Sequence, residues 1–507
     1  MNGASGNGAG QRIVIVGGGT AGWMTANLLA RRWPQMVIEL VEAPEIGIIG
    51  VGEGSTPTLK RFFEEMGIDE EAWMPRCNAT YKTNIRFVGW SPATGVMDYS
   101  HPFLTQIDLH TSDAFELNCR NRRLGLDVPT APEAFFLNGV LAAQGKAPLA
   151  PEHFPFAIEY GYHFDSGLLG EFLRDHAVAR GVLHRQAKVV DAQMASDGSI
   201  ASVLTDRGEA IAGDMFIDCS GFSALLMRGK LGVSFKSFRD NLFNNAAVVL
   251  PTPAQADPDP ETVSTALSHG WCWSIPLTSR VGNGYVFSSD YLAPDAAETE
   301  FRAHLGQLDG AQEARHLRFN TGQLEQHWAR NVLAVGLSQG FIEPLEATAL
   351  HLVLGTVDMF MEDYQRGGFT NRHADAFNQR ISERIERVRD YIVAHYKLNM
   401  REDSVYWQDN RENEHLSEPL RHILDIWFKR GDLRAELARQ NTLSHFGPES
   451  WHCLLAGYGA FPAVKQAGNL DVDFYAARGI GSFLDRCSLN FPPQARVLAQ
   501  WAGKGAA

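Results

Sequence analysis

The chain has no excess of positive charge, few cysteines and no long apolar run. Its formal net charge of −14 argues against nonspecific binding to nucleic acid or to an anionic membrane surface. The six cysteines, Cys77, Cys119, Cys219, Cys272, Cys453 and Cys487, form neither a CxxC pair nor a metal-ligand cluster. A disulfide scaffold and a zinc module are therefore not expected, and scattered cysteines of this kind fit a reducing, cytoplasmic compartment. The most apolar stretch, 13–30, is interrupted by three consecutive glycines, so it reads as strand, turn and helix rather than a membrane span. Residues 1–10 carry no charge and no apolar run, which suggests a disordered leader without a secretory signal.

What is present is an ordinary globular composition, 45% apolar and 21% charged, in a chain long enough for a sizeable core. The first clear motif is RIVIVGGGTAGWMTANLLARRW, from Arg12. A short β-branched strand runs into Gly17, Gly19 and Gly22 and then into a helix. This is G-x-G-x-x-G in the strand–turn–helix setting that dinucleotide binding requires. The glycines let the backbone approach a pyrophosphate, and the helix N-terminus supplies unpaired N–H groups. A second strand, VIELVE, ends at Glu42, about 20 residues on, where an acid is expected to hold the ribose hydroxyls.

Further along, GIIGVGEGSTPTL (47–59) reads as an ordered loop, and residues 60–76 as a helix burying Phe62, Phe63, Met66 and Trp73. NATYKTNIRFVGW alternates as a strand, with Tyr81, Ile85 and Phe87 on one face and Thr80, Lys82, Asn84 and Arg86 on the other. By pattern alone Lys82 faces solvent. DYSHPF contributes His101 and Phe103. A strand ending Asp218-Cys219-Ser220-Gly221, after an insertion, resembles the inner strand of flavin-dependent monooxygenase folds, which implies a nucleotide fold assembled from separated segments. GWCWSIPL places Trp271 and Trp273 on one face of a strand, with GNGYVFSS as its hairpin partner. NVLAVGLSQGFIEPLEATALHLVLGTV, from Asn331, reads as strand, turn and apolar helix, the helix beginning near Pro344 with Glu346 in its first turn. From about 356 the chain is helical in pattern and reads mostly as scaffold.

Six of these motifs, in this order, resemble the flavin-dependent halogenases of the tryptophan halogenase family. The W-x-W-x-I-P strand is that family's signature, VGEGSTP resembles its flavin strap with Glu53 and Pro57 in family positions, and EPLEATA resembles its E-P-L-E-[SA]-T-G segment. The resemblance implies an α/β fold: an FAD-binding, Rossmann-like, monooxygenase-type core with mixed sheets and a mainly helical C-terminal substrate subdomain. The expected division is 1–10 leader, 11–355 core with a substrate-side insertion at about 100–160, and 356–507 helical region. It further implies Lys82 and Glu346 as catalytic residues. The lysine's N–H donors would orient hypohalous acid, or its amine would form a haloamine, and Glu346 would raise the electrophilicity or take the ring proton. The cofactor set it implies is Gly17, Gly19, Thr20, Ala21, Gly22, Glu42, Glu53, Gly54, Val189, Trp271, Trp273, Gly336, Leu337 and Leu350. Thr348 and Ala349 would hold the halide, Ala349 replacing the family's glycine, and His101, Phe103 and Phe446 the substrate. No metal is implied.

The implied reaction uses reduced FAD, O2 and chloride or bromide to halogenate an electron-rich arene. A single dinucleotide fingerprint and no second one for NAD(P)H agrees with a separate reductase that supplies the reduced flavin. The expected assembly is a monomer or homodimer. One departure bears on substrate: the stretch WFKRGDLRAELARQNTLSHF (427–446) lacks the tyrosine pair of the tryptophan-specific members. Indole or a simple indole is therefore expected to be preferred to free tryptophan. The alternatives are a flavin-dependent aromatic hydroxylase, which would not need Lys82, and a flavoprotein without turnover, which leaves Lys82, Glu346 and the paired tryptophans without a joint purpose.

Overall fold

Two apolar, β-branched runs, Arg12–Val16 and Val37–Glu42, pair in parallel at the middle of a six-stranded sheet. Strands buried on both faces need such runs, and Ile13–Val16 of the first and Ile38–Val41 of the second are buried here. Met215–Asp218 lies parallel on the other side of the first strand, with Val332–Ala334 beyond it, so segments some 200 and 300 residues away complete the sheet. Leu183–Gln186 adds parallel to the opposite edge, and Trp328–Ala329 closes the near edge antiparallel. The separated assembly expected from Asp218-Cys219-Ser220-Gly221 is thus observed. The structure, a computed structural model, describes residues 10–45, 53–441, 446–463 and 472–504. Val51 and Gly52 of the strap and most of the leader lie outside the described residues.

A second, larger sheet runs Arg315–Arg318, Ala246–Val249, Arg280–Phe287, Gly270–Pro276, Glu261–Leu267, Asn84–Ser91, Val96–Pro102. It is antiparallel except where Glu261–Leu267 meets Asn84–Ser91. The tryptophan strand and its hairpin partner pair as expected, Trp273 opposite Gly284. A third sheet has three short strands: Glu53–Gly54, Gly161–Phe164 and Thr80–Lys82. Gly161–Phe164 is the strand that ties the strap to the lysine strand. Beyond the sheets the chain is helical, including Ala349–Arg366 and the 24-residue Ala374–Lys397. Among the described residues, no helix is long and apolar enough to cross a membrane, and all six cysteines are free.

Three local readings change. The helix expected over 60–76 ends at Met66, because Gly67 turns left-handed (φ 67°), and a short helix Glu70–Trp73 follows. Phe62, Phe63, Met66 and Trp73 are all buried, as their spacing implied. NATYKTNIRFVGW is not one strand: it divides at Thr83, whose N–H donates to Pro260 O at 2.7 Å. Its two halves enter different sheets, and both faces are covered, so Thr80, Lys82 and Asn84 are as buried as Tyr81. A period-two pattern assigns a polar face to water only when that face has no neighbour, and here it has one.

Candidate active site

The C-terminal ends of the parallel strands bring the first motifs together. Gly17 has φ 113°, and a Cβ there would stand 2.2 Å from Cys219 O, so only glycine fits between the two strand ends. Gly19 caps the helix Thr20–Arg32 without a side-chain hydrogen bond, and its first turn holds no acid. That leaves the N–H groups and the positive dipole end free for a diphosphate. A Cβ on Gly22 would meet Gly17 O at 2.0 Å, which lets the helix start close against the turn. Gly336 (φ 70°) brings the second turn onto the first, since a Cβ there would lie 2.9 Å from that of Ala21. Leu337 is half-buried in this turn, and Leu350 is buried in the next helix. Thr20 is buried with its hydroxyl toward Ser166 O, and Val189 is buried in a small cluster with Val14, Val16 and Val41. Glu42 ends its strand with its carboxylate against Gly18 and accepts from His184 Nε2 at 2.7 Å. The crevice fits a dinucleotide cofactor: close backbone, uncapped helix and an acid at the neighbouring strand end.

Lys82 is fully buried, and its Nζ has no hydrogen-bond partner among the described residues. Burial pulls its pKa down to about 7, and the charge of Glu346 acts in the opposite sense. The Nζ lies 5.5 Å from the centre of the Phe103 ring. A Cβ on Gly54 would stand 3.2 Å from it, so the strap glycine borders the lysine. The neighbouring Glu53 is pushed up to about 7 by burial, with the Ser166 side chain acting in the opposite sense.

Glu346 is not in a helix. Ala347 has φ 54°, which no helix continues, so the helix starts at Ala349, five residues later than the sequence suggested. The turn holds the Glu346 carboxylate in the interior. His101 Nδ1 donates to it at 3.0 Å and His395 Nε2 at 3.0 Å. Burial favours the neutral acid, but the two imidazoles outweigh it and hold Glu346 below the ordinary carboxylate range. Since Nε2 carries the hydrogen, His395 Nδ1 accepts from the Tyr458 hydroxyl at 3.0 Å. Thr348 caps the next helix without a side-chain bond, and no acid occupies its first turn. Ala349 is its first helical residue, so the glycine-to-alanine departure costs no backbone strain.

Trp271 and Trp273 are both buried, with ring centres 6.1 Å apart. A Cβ on Gly284 would lie 2.1 Å from the Trp273 ring, so the glycine of the partner strand is the slot for that indole. Trp271 Nε1 donates to Glu343 Oε2 at 2.9 Å, which also accepts from Tyr396 and Asn244. Phe446 stacks flat on Tyr391 at 3.6 Å, and Tyr391 neighbours His101 at 6.0 Å. Lys82, Glu346, His101 and Phe103 therefore form one neighbourhood. Phe446 joins it through Tyr391, which covers one of its faces.

Comparison with known proteins decides the chemistry. The tryptophan halogenase family model matches residues 12–470. The chain belongs to that family. It is 36% identical to the tryptophan 6-halogenase SttH of Streptomyces toxytricini over 93% of this chain and 95% of that one. It is 35% identical to the 7-chloro-L-tryptophan 6-halogenase KtzR of Kutzneria sp. (strain 744), over 92% and 94%. Among solved structures, that of SttH matches with a TM-score of 0.84 at 31% identity, over 97% of this chain and 100% of that one. BrvH, a flavin-dependent halogenase from Brevundimonas sp. BAL3, matches with a TM-score of 0.81 at 33% identity, over 97% and 99%. The enzyme is a flavin-dependent halogenase, and the fold class expected from sequence is the one observed.

Several residues of the candidate site escaped the sequence reading. His395, Tyr396 and Tyr391 come from the helix Ala374–Lys397, which looked like scaffold. Its last turns bring His395 to Glu346 and Tyr396 to Glu343. The doubled glutamate of EPLE was the one available signal for Glu343. Nothing local marks His163 or Thr262, which stand beside Lys82 only because three strands meet there.

Proposed function

We propose that this halogenase uses reduced FAD from a separate reductase, O2 and bromide or chloride to halogenate indole or a simple indole, with the halogen routed through Lys82. The observation that carries the reading is Lys82 itself: a fully buried lysine with an unpaired Nζ beside a carboxylate bound by two imidazoles. A lone buried cation is costly, and such groups gather at sites of chemistry. FAD would be held by the Gly17–Gly22 turn, Glu42, the strap at Glu53 and Gly54, and the Gly336–Leu337 turn, with Val189 and Leu350 as apolar support. When bound and reduced it supplies the oxidising power, with O2, that converts halide to hypohalous acid. Thr348 and Ala349 would hold the halide at the uncapped helix end. Trp271 and Trp273 would wall the substrate from the flavin.

Lys82 then donates an N–H to the hypohalous oxygen and polarises the halogen toward the arene. His101, Phe103 and Phe446 would present the flat ring. Glu346, anionic and fixed by two donors, takes the ring proton. A weakly basic carboxylate suffices, because a ring carrying both hydrogen and halogen on one carbon is a strong acid. Residues 442–445 lie outside the described residues, so the preference for indole rests on the absence of tyrosine in 427–446. The test is product mass after aerobic incubation with FAD, a flavin reductase, NADH and bromide, with indole and tryptophan in parallel. Brominated indole formed well ahead of brominated tryptophan is expected. Comparable turnover of the two would overturn the substrate reading, and hydroxylated product would overturn the reaction.

A further inference from the structure

Lys82 Nζ, Thr262 Oγ1 and the His163 ring converge on one small space above Gly54. A Cβ placed on Gly54 would stand 3.2 Å from the first, 3.3 Å from the second and 3.5 Å from His163 Cδ2. Gly54 is not in the left-handed region, so what its missing side chain provides is room. His163 and Lys82 are fully buried and Thr262 is nearly so.

The hydrogen bonds around His163 run in one direction only. The Thr80 hydroxyl donates to Pro276 O at 2.7 Å, which uses its single hydrogen. Its contact with His163 Nδ1, 3.0 Å away, must then be donated by the ring. Burial and the neighbouring lysine charge keep that ring neutral, so Nε2 is bare. Thr262 Oγ1, 2.9 Å from Nε2, therefore donates to it. With its hydrogen committed, Thr262 can present only lone pairs to the space it shares with Lys82. That space has a donor on one side and an acceptor on the other, the complement of a molecule whose one oxygen both accepts and donates.

We propose that Thr262, oriented by His163, is the second anchor for the hypohalous acid beside Lys82: the lysine donates to its oxygen and Thr262 accepts its O–H. This rests on the lysine reading above. In the transfer, the arene carbon bonds the halogen and the halogen–oxygen bond breaks with its electron pair on oxygen. The departing hydroxide takes a proton from the Lys82 ammonium and leaves as water. Glu346 takes the ring proton and returns it to Lys82, so arene and hypohalous acid give haloarene and water. Thr262 and His163 are positioning residues: they keep the oxidised halogen at the lysine rather than letting it diffuse away.

The test compares wild type, Thr262→Val, Thr262→Ser and Lys82→Ala, each with FAD, reductase, bromide and indole. Three quantities are read: brominated indole, bromine captured by external monochlorodimedone, and the rate of flavin oxidation. Thr262→Val is expected to lower indole bromination about tenfold, raise the captured share and leave flavin oxidation unchanged, and Thr262→Ser to restore both values. Wild-type product and capture in Thr262→Val would overturn the proposal. So would a serine variant as defective as valine, because a packing role would then suffice. If Thr262→Val loses flavin binding, His163→Phe replaces it: the freed hydroxyl hydrogen should give the same leak, and an unchanged capture would overturn the proposal. Wild-type product from Lys82→Ala would instead defeat the lysine reading, a separate outcome.

Discussion

At the scale of single residues, Lys82 carries a stability cost, because its amine is buried. Its folded pKa of about 7 lies below the 10.5 of a free lysine. Between those values the unfolded chain binds the extra proton, so unfolding is favoured there and stability rises with pH. The penalty, on the order of several kcal/mol, is complete below about pH 7 and gone above the free-lysine value. Lys82→Met removes it at similar volume. This variant is expected to lose halogenation yet melt higher than wild type at pH 7, by on the order of 3 °C. The gap in Tm should narrow as the pH is raised from 7 toward 10. A lower Tm at pH 7, or a gap that widens with pH, would show that the ammonium is stabilised by something other than Glu346. The same residue shows where sequence reading stops. Alternation turned Lys82 toward solvent, but it is buried, with its amine beside His163 and Thr262 from strands remote in sequence. Only the family resemblance pointed to the lysine.

At the scale of elements, the hairpin of Gly270–Pro276 with Arg280–Phe287 was legible because both strands and the short connection lie close in sequence. The slot that Gly284 leaves for Trp273 was not, because it is a cross-strand fit. Gly284→Ala forces the indole or the strand to move, at a cost of about 1–3 kcal/mol. A lower Tm is expected, with tryptophan fluorescence changed in the folded state. Unchanged melting and emission would mean the hairpin absorbs a methyl group freely. The helix Ala374–Lys397 teaches the converse. Its charge and apolar periodicity gave the element, while the function of its last turns depends on which turn of another segment they meet. The EPLE turn was placed one helical turn off for a related reason: a proline and an acid suggest a helix start, but Ala347 in the left-handed region delays it.

At the scale of the whole molecule, the cofactor crevice is made where strands from three distant parts of the sequence end side by side. The glycine fingerprint and Glu42 were legible because they lie within one strand–helix–strand unit, and Asp218-Cys219-Ser220-Gly221 signalled the return of the chain. A ligand seated there would touch all three parts and stabilise the assembled state alone. Tm is expected to rise with FAD concentration, with about 2.7 kcal/mol gained at a hundred times the dissociation constant. A Tm independent of FAD would place the cofactor elsewhere. The expected division at 355 would part Glu346 from His395, which donates to it at 3.0 Å.

The central claim is that the oxidised halogen reaches the arene through Lys82. It is tested most directly by Lys82→Ala, given FAD, reductase, NADH, O2, bromide and indole, with flavin oxidation and product mass followed together. The account requires flavin oxidation at the wild-type rate and no bromine isotope doublet in the product. Brominated indole at the wild-type rate from this variant would contradict it.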